Sequence, residues 1–355
     1  MRRSAAILIA MLITLAGCGA QSPVPSAIIT PEPAIESVTP TELPKPDPTP
    51  TPTPTSVPTQ TPQSLNISHT TGLPFYGEYR PIMIVIENSA KARPQLGLQT
   101  ADVVYEVPVE GSTTRFVCVF SDNVPKEVMP VRSGRVPFLF IQREWNAIFM
   151  HFGGSGSRRD HNAYSFYGHK LYDKIITVVD GLKGNLKGYF YRDKKKPSTH
   201  DVVGKPLRAQ ALYKYQPEPL NWLFDDSIEY SGEIVPKINL KMCSGNKNFV
   251  SYKYDPDKNV YMRYMGGKKF MSAETGKQVS VKNVIVQHST YEVELKIKLW
   301  KLVGEGKADF YIGGKHIKGS WKRESEASKT IYYDAVGNQI VLLPGNTWIH
   351  LSPAK

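Results

Sequence analysis

Three patterns of hydrophobic and polar positions follow one another along the chain. An apolar block runs from Ala5 to Leu15, and after a polar, proline-rich stretch come dense apolar runs between Pro81 and His151. From Ile234 onward, apolar and polar residues tend to alternate. Pro81–Glu87, with its β-branched residues, predicts a buried strand. Ala101–Val107 and Thr113–Phe120 predict two more, with Glu110-Gly111-Ser112 as the turn between them. Their short connections suggest a mixed or antiparallel sheet. Arg135–Trp145 reads as a helix because Phe138, Ile141 and Trp145 share one face, and a strand at Ala147–His151 follows. Tyr189–Asp193 reads as a strand end. Pro206–Tyr215 reads as a helix with proline in its first turn, broken by Gln216-Pro217-Glu218-Pro219. Strands are then expected at Ile234–Met242, Phe249–Tyr254, Val260–Tyr264, Val281–Gln287, Glu294–Leu302, Asp309–Ile312, Ile331–Asp334 and Gln339–Leu343. Gly-Gly and Gly-Asn pairs fall at hairpin positions among them. The expected class is α+β: a mixed α/β domain over residues 74–216, then a β-rich domain over 217–355.

The first apolar block is too short to span a bilayer comfortably. It follows Arg2-Arg3 and ends Leu15-Ala16-Gly17-Cys18, which resembles the lipobox of bacterial lipoproteins. Residues 1–18 therefore read as a lipoprotein signal peptide. The Cys18 thiol takes the lipid, and the chain is held on the extracytoplasmic face of the cell membrane. Residues 19–73 read as a disordered linker. Thirteen of the 28 prolines lie between Pro23 and Pro62, and such a segment buries no core and favours extended polyproline II.

The formal charge is +12, and the linker is itself acidic, so the positive excess lies on the folded part. That excess favours anionic partners. No zinc-finger spacing, helix-turn-helix or RNP-type aromatic motif points to nucleic acid. The three cysteines show no Cys-x-x-Cys or Cys/His pairing, so neither a metal nor a cofactor is expected. Cys118 and Cys243 lie in strand-like runs, and nothing in their spacing requires a bridge.

Two turns carry the candidate chemistry. Arg132-Ser133-Gly134-Arg135 precedes the helix, and His151-Phe152-Gly153-Gly154-Ser155 follows the next strand. Guanidinium forks bind phosphate or carboxylate bidentately, and backbone N–H groups at Ser133 and Gly134 could add to the same cradle. Arg93, Arg115 and Arg192 complete the set. The competing reading is a network of internal ion pairs with Glu87, Asp102, Glu106 and Glu110. His151 could act as a general base with the Gly153, Gly154 and Ser155 loop as oxyanion donor, although a histidine among apolar residues is more often structural. His161, His169 and His200 could join it, oriented by Asp160, Asp193 or Asp201. Gly154-Ser155-Gly156 is not a nucleophile elbow. Trp300, Trp321 and Trp348 could stack on sugars, with core packing the default.

The runs RPIMIVIEN, ARPQLGL, ADVVYEVPVEGSTTRF, PVRSGR, HFGGS and YRD, with the later Thr275-Gly276, KNVIVQ and PGNTWIHL, resemble the YerB-like lipoproteins, a Gram-positive envelope family of uncharacterised function. The resemblance covers nearly the whole folded part. It implies a lipid-anchored surface protein with an α/β domain before a β-rich one, and it supplies no reaction. The expected Pro-His-Asn after YRD is replaced by Lys196-Pro197-Ser198-Thr199-His200-Asp201. The reading drawn is an envelope lipoprotein that binds an anionic wall polymer or its precursor in a cleft of arginines and His151. Its alternatives are a transferase or hydrolase of envelope polymers with His151 as base, and a scaffold without catalysis.

Overall fold

Every residue of Ile82–Glu87 is buried, because this strand has neighbours on both edges and layers on both faces. The computed structural model describes residues 66–75, 77–156, 162–215, 217–219, 222–243 and 249–354. The signal segment, Cys18, the linker up to residue 65, Asp160 and His161 lie outside the described residues. The strands of the main sheet are β1 (Ile82–Glu87), β2 (Val103–Pro108), β3 (Thr114–Phe120), β4 (Ile148–His151) and β5 (Val178–Asp180). A small hairpin, β6 (Phe190–Arg192) and β7 (Val202–Gly204), lies outside it. A second sheet holds β8 (Lys237–Lys241), β9 (Phe249–Asp255) and β10 (Val260–Met265). The main sheet then gains β11 (Asn283–Ser289), β12 (Gly304–Ile312), β13 (Lys315–Arg323), β14 (Ile331–Asp334) and β15 (Thr347–Pro353). Its ten strands run in the order β14-β13-β12-β11-β15-β2-β3-β1-β4-β5. The last strand, β15, is parallel to both of its neighbours, pairing Ile349 with Ile285 on β11 and with Tyr105 on β2.

Alternation sorts the side chains of this sheet into two cores. Met83, Val85, Val103, Tyr105, Val117 and Val119 face the helix α1 (Val136–Trp145) and meet its Phe138, Leu139, Ile141 and Trp145. Ile84, Val104, Phe116, Cys118 and Trp348 face the second sheet and meet Ile238, Val250, Tyr252 and Tyr261. Strands covered on both sides read as unbroken apolar runs, which is the pattern of the Pro81–Phe120 region. Each fully buried aliphatic or aromatic side chain there contributes roughly 1.5–3 kcal/mol.

The expected α+β class is not what forms. The protein is mostly β, with three α-helices among the described residues. Of these, α1 has ten residues, α2 (Lys170–Asp173) has four and α3 (Pro206–Gln210) has five. The helix expected over Pro206–Tyr215 stops after little more than one turn. The described residues between β4 and β7 offer no sustained 3.6-residue period, so they form loops, single turns, the short strand β5 and the β6 arm of a hairpin instead.

Two details differ further. The strand expected over Glu294–Leu302 is a hairpin, Tyr291–Glu294 against Ile297–Trp300. Its two-residue turn puts Leu295 at φ 51° and Lys296 at φ 66°, the left-handed pair of a type I′ turn. Strands β13 and β15 arise where none was expected. Trp300, Trp321 and Trp348 are all buried in the two cores, and Cys118 and Cys243 are buried free thiols. Residues 66–75 form a hairpin that is tied to the sheet by hydroxyls: Thr70 donates to Asp102 (2.9 Å), Ser68 donates to Asp122 (2.7 Å), and Thr71 also donates to Asp122 (2.6 Å).

Candidate functional site

The segment Val131–Arg135 is stitched into place from three sides. Its Arg132 N–H donates to Val85 O on β1, its Val131 N–H donates to Val202 O on β7, and its Arg132 carbonyl accepts from Phe152 N. The β6–β7 hairpin brings Arg192 opposite. Arg132, Ser133, Phe152, Arg192, Ser198, Thr199 and Asp201 thus line one cleft of about 320 Å³.

Carboxylates and carbonyls orient both guanidinium groups. Arg132 Nη1 donates to Thr199 O at 2.8 Å, and its Nε lies 3.4 Å from Glu87 Oε2. Arg192 Nη1 donates to Asp201 Oδ1 at 2.7 Å, and the guanidinium sits 5.3 Å over the Phe152 ring. The Glu87 Oε2 atom also holds His200 Nδ1 at 2.8 Å. Arg192 is 53% exposed and Arg132 29%, so both reach solvent. Thr199 is held at φ 72°, a costly conformation for a β-branched residue.

The other predicted arginines lie elsewhere. Arg135 forks onto Glu110 through Nε (2.9 Å) and Nη2. Arg115 donates to Ser133 O at 2.6 Å and lies 3.5 Å from Glu110. Burial, with Arg135 and Arg132 nearby, pushes the Arg115 guanidinium down to about 9. Burial raises Glu110, but the Arg135 hydrogen bond and charge and the Arg115 charge more than offset it, holding the carboxyl at about 2. Arg93 donates to the side chain and backbone of Asn88 (3.1 and 2.7 Å), and burial lowers its pKa.

His151 is fully buried. Its Nδ1 lies 2.8 Å from Gly153 O, and its ring meets Phe149, Phe166 and Tyr172, so it does not line the cleft. The glycine loop is accounted for by packing. Gly153 N donates to Asp180 Oδ1, Ser155 N donates to Gly134 O, and Gly134 N donates to Gly153 O. A Cβ on Gly134 or Gly154 would overlap the Phe166 ring, so these glycines let an aromatic ring close over the turn. Of the predicted site residues the structure brings Arg132, Ser133 and Arg192 together. Arg93, Arg115, Arg135, His151, Gly153, Gly154 and Ser155 serve the framework. Sequence reasoning missed Phe152, Ser198 and Thr199 as cleft residues and weighed Asp201 only as a partner for a histidine. Among the described residues no group of three or more His, Cys, Asp and Glu side chains is placed to hold a metal ion.

Two family models match the chain: the N-terminal domain of "Protein of unknown function (DUF3048)" over residues 70–218, and its C-terminal domain over 238–349. The protein named "Putative lipoprotein YerB" of Bacillus subtilis (strain 168) is 28% identical over 284 residues, covering 78% of this chain and 82% of its own. The crystal structure of YerB protein from Bacillus subtilis superposes with a TM-score of 0.68 at 26% identity, covering 81% of this chain and 96% of that one. Shared sequence over most of both chains, shared fold and matches to both halves of the same family lead to one conclusion: this chain belongs to the YerB-like DUF3048 family.

Proposed function

We propose that this chain is a lipoprotein, anchored through Cys18 to the extracytoplasmic face of the membrane, whose folded part binds an anionic, phosphate-bearing envelope ligand between Arg132 and Arg192. The supporting observation is the convergence of two half-exposed guanidinium groups on one cleft. A guanidinium carries five N–H donors in a fixed fork. Asp201 engages Arg192 through Nη1, and Thr199 O and Glu87 engage Arg132 through Nη1 and Nε. An edge of each fork remains for a phosphate, already oriented by those contacts. The Ser198 hydroxyl on the cleft wall can donate to the same oxygens, while the Ser133 hydroxyl is held by the Phe152 carbonyl at 3.0 Å. Strain at Thr199 fits a backbone held for binding rather than for stability.

Anchoring is supported by the Leu15-Ala16-Gly17-Cys18 box and by the lipoprotein name of the Bacillus subtilis relative. An enzymatic reading with His151 as base lacks support, since that ring is buried away from the cleft.

The test is titration calorimetry with glycerol 3-phosphate on the chain from residue 19 onward, which retains every element described. Arg132→Ala and Arg192→Ala should each weaken binding tenfold or more. Affinities equal to the parent in both variants would overturn the cleft. For the anchor, Cys18→Ala should move the protein out of the membrane fraction of cells. Its persistence there would overturn the lipid attachment.

A further inference from the structure

Alternation along its strands gives the second sheet two unlike faces. Ile238 on β8, Val250 and Tyr252 on β9, and Tyr261 on β10 point into the core. The residues between them form the outer face. Register places Lys237 directly opposite Lys253 on that face, and Lys253 opposite Met262. Lys241 lies further along β8, opposite Phe249. Lys269, in the two-residue strand Lys268–Lys269 beside β10, lies opposite Tyr264. All four lysines are exposed.

The outer-face positions of these strands hold one acid, Asp255, and Lys258 engages it at 2.7 Å. Among the described residues none of the four lysines pairs with a carboxylate. Side chains directly opposite on neighbouring strands stand roughly 5 Å apart at Cβ, and like charges there destabilise the sheet. Lysines on an edge strand keep other strands from adding to it, and β8 is an edge, so Lys237 and Lys241 have that use. Lys253 does not. It sits on β9, paired on both sides, and faces Lys237 without a neutralising partner. An anionic partner laid over the face supplies the missing charge.

The kind of anion follows from the groups that meet it. Ammonium groups are point charges on flexible stems and impose no fork geometry, so they suit a flexible chain of repeated charges better than one docked anion. Phe249, Met262 and Tyr264 lie half-buried between the lysines and do not protrude as a surface that enters a bilayer must. Lys253 Nζ stands 5.3 Å from the Tyr264 ring centroid, so that ring carries a cation instead of offering its face to a nucleic-acid base.

We infer that the outer face of the second sheet binds an extended polyanion, a flexible chain with a phosphate or carboxylate on each repeat, through Lys237, Lys241, Lys253 and Lys269. This surface shares no residue with the Arg132–Arg192 cleft, and it stands whether or not the cleft takes phosphate.

The test is fluorescence anisotropy with labelled inorganic polyphosphate and labelled polyglutamate. The protein is the chain from residue 19 onward carrying Arg132→Ala and Arg192→Ala, so that the cleft does not contribute. At least one polymer should bind, and the tighter one names the anionic group. Lys237→Gln with Lys253→Gln should weaken that binding about tenfold, since each lysine lost removes a contact that releases counterions. Lys194→Gln with Lys195→Gln removes the same charge from exposed positions in the β6–β7 connection, outside the second sheet. It should change the affinity by about twofold at most, because salt screens distant charges. Lys253→Glu faces Lys237 with an opposite charge, so it should keep or raise the melting temperature while weakening binding at least as much. Binding of neither polymer overturns the inference, as does parental binding in Lys253→Glu. Equal losses in the two glutamine pairs overturn it in favour of attraction by net charge alone. Single-stranded DNA bound more tightly than either polymer overturns it in favour of base stacking.

Discussion

Glu106 on β2 and Arg263 on β10 meet at 2.7 Å with both side chains fully buried, 157 residues apart in the chain. Asn88 and Thr114 donate to the other carboxylate oxygen. Tyr252 OH accepts from Arg263 Nη1 at 2.5 Å and lies 2.8 Å from His350 Nε2. The guanidinium also rests among the rings of Trp348, Phe270 and Phe116. Burial raises the Glu106 carboxyl, but the Arg263 charge and the His350 contact more than offset it and hold it at about 2. Removing one partner of such a pair strands a buried charge, at a cost of about 3–5 kcal/mol. Arg263→Ala should lose that much in urea unfolding, and Glu106→Gln combined with Arg263→Met should lose less. A loss below about 1 kcal/mol in Arg263→Ala would show that the pair is not buried as described.

Asp102 gives the opposite pH behaviour. Burial, and then the nearby Asp122, raise its carboxyl to about 7, against backbone hydrogen bonds from Asp122 and Ser121. The folded state therefore keeps a proton that the unfolded chain, near 4, has released. Stability from this group is greatest below pH ~4, declines as pH rises toward ~7 and is flat above, a fall on the order of 2–4 kcal/mol. Urea melts at pH 5 and pH 8 should show this decline in the parent and little of it in Asp102→Asn. The same decline in the variant would place its origin elsewhere.

Gly154→Ala should destabilise by roughly 1–3 kcal/mol, since the added methyl meets the buried Phe166 ring and overpacking costs that much. Thermal melting reads it. A neutral result would mean that Phe166 can leave its place over the turn.

The hairpin turn at Leu295-Lys296 offers a gain instead. Both residues sit at positive φ, where Asn-Gly is preferred. Leu295→Asn with Lys296→Gly should raise stability by about 0.5–1 kcal/mol. An unchanged or lowered melting temperature would count against the turn geometry.

The strands of the first half were legible because apolar, β-branched runs have few other uses. Helix α1 was legible through Phe138, Ile141 and Trp145. Strand β15 was not, although PGNTWIHL stood out as a motif. Its partners are β2 and β11, both distant in sequence, and its neighbours are the turn residues Pro344-Gly345-Asn346. The arginines show the same limit. Both Arg135 and Glu110 are visible in the sequence, but nothing local says that they pair. Gly134 and Gly154 carried the look of an anion loop because their true requirement, the Phe166 ring, enters from another segment. Thr199 completes the cleft from a strained conformation that no residue preference signals.

The position of β15 sets an order of events. It lies between β2 and β11, hydrogen-bonded to each, and it follows the other nine strands of the sheet in sequence. While the chain emerges N-terminus first, the edges of β2 and β11 carry unpaired backbone groups facing a gap that only residues 347–353 can fill. The sheet thus closes from its middle, with the last of its ten strands to emerge. Loss of a few residues near Trp348 would leave two open edges in the middle of the sheet.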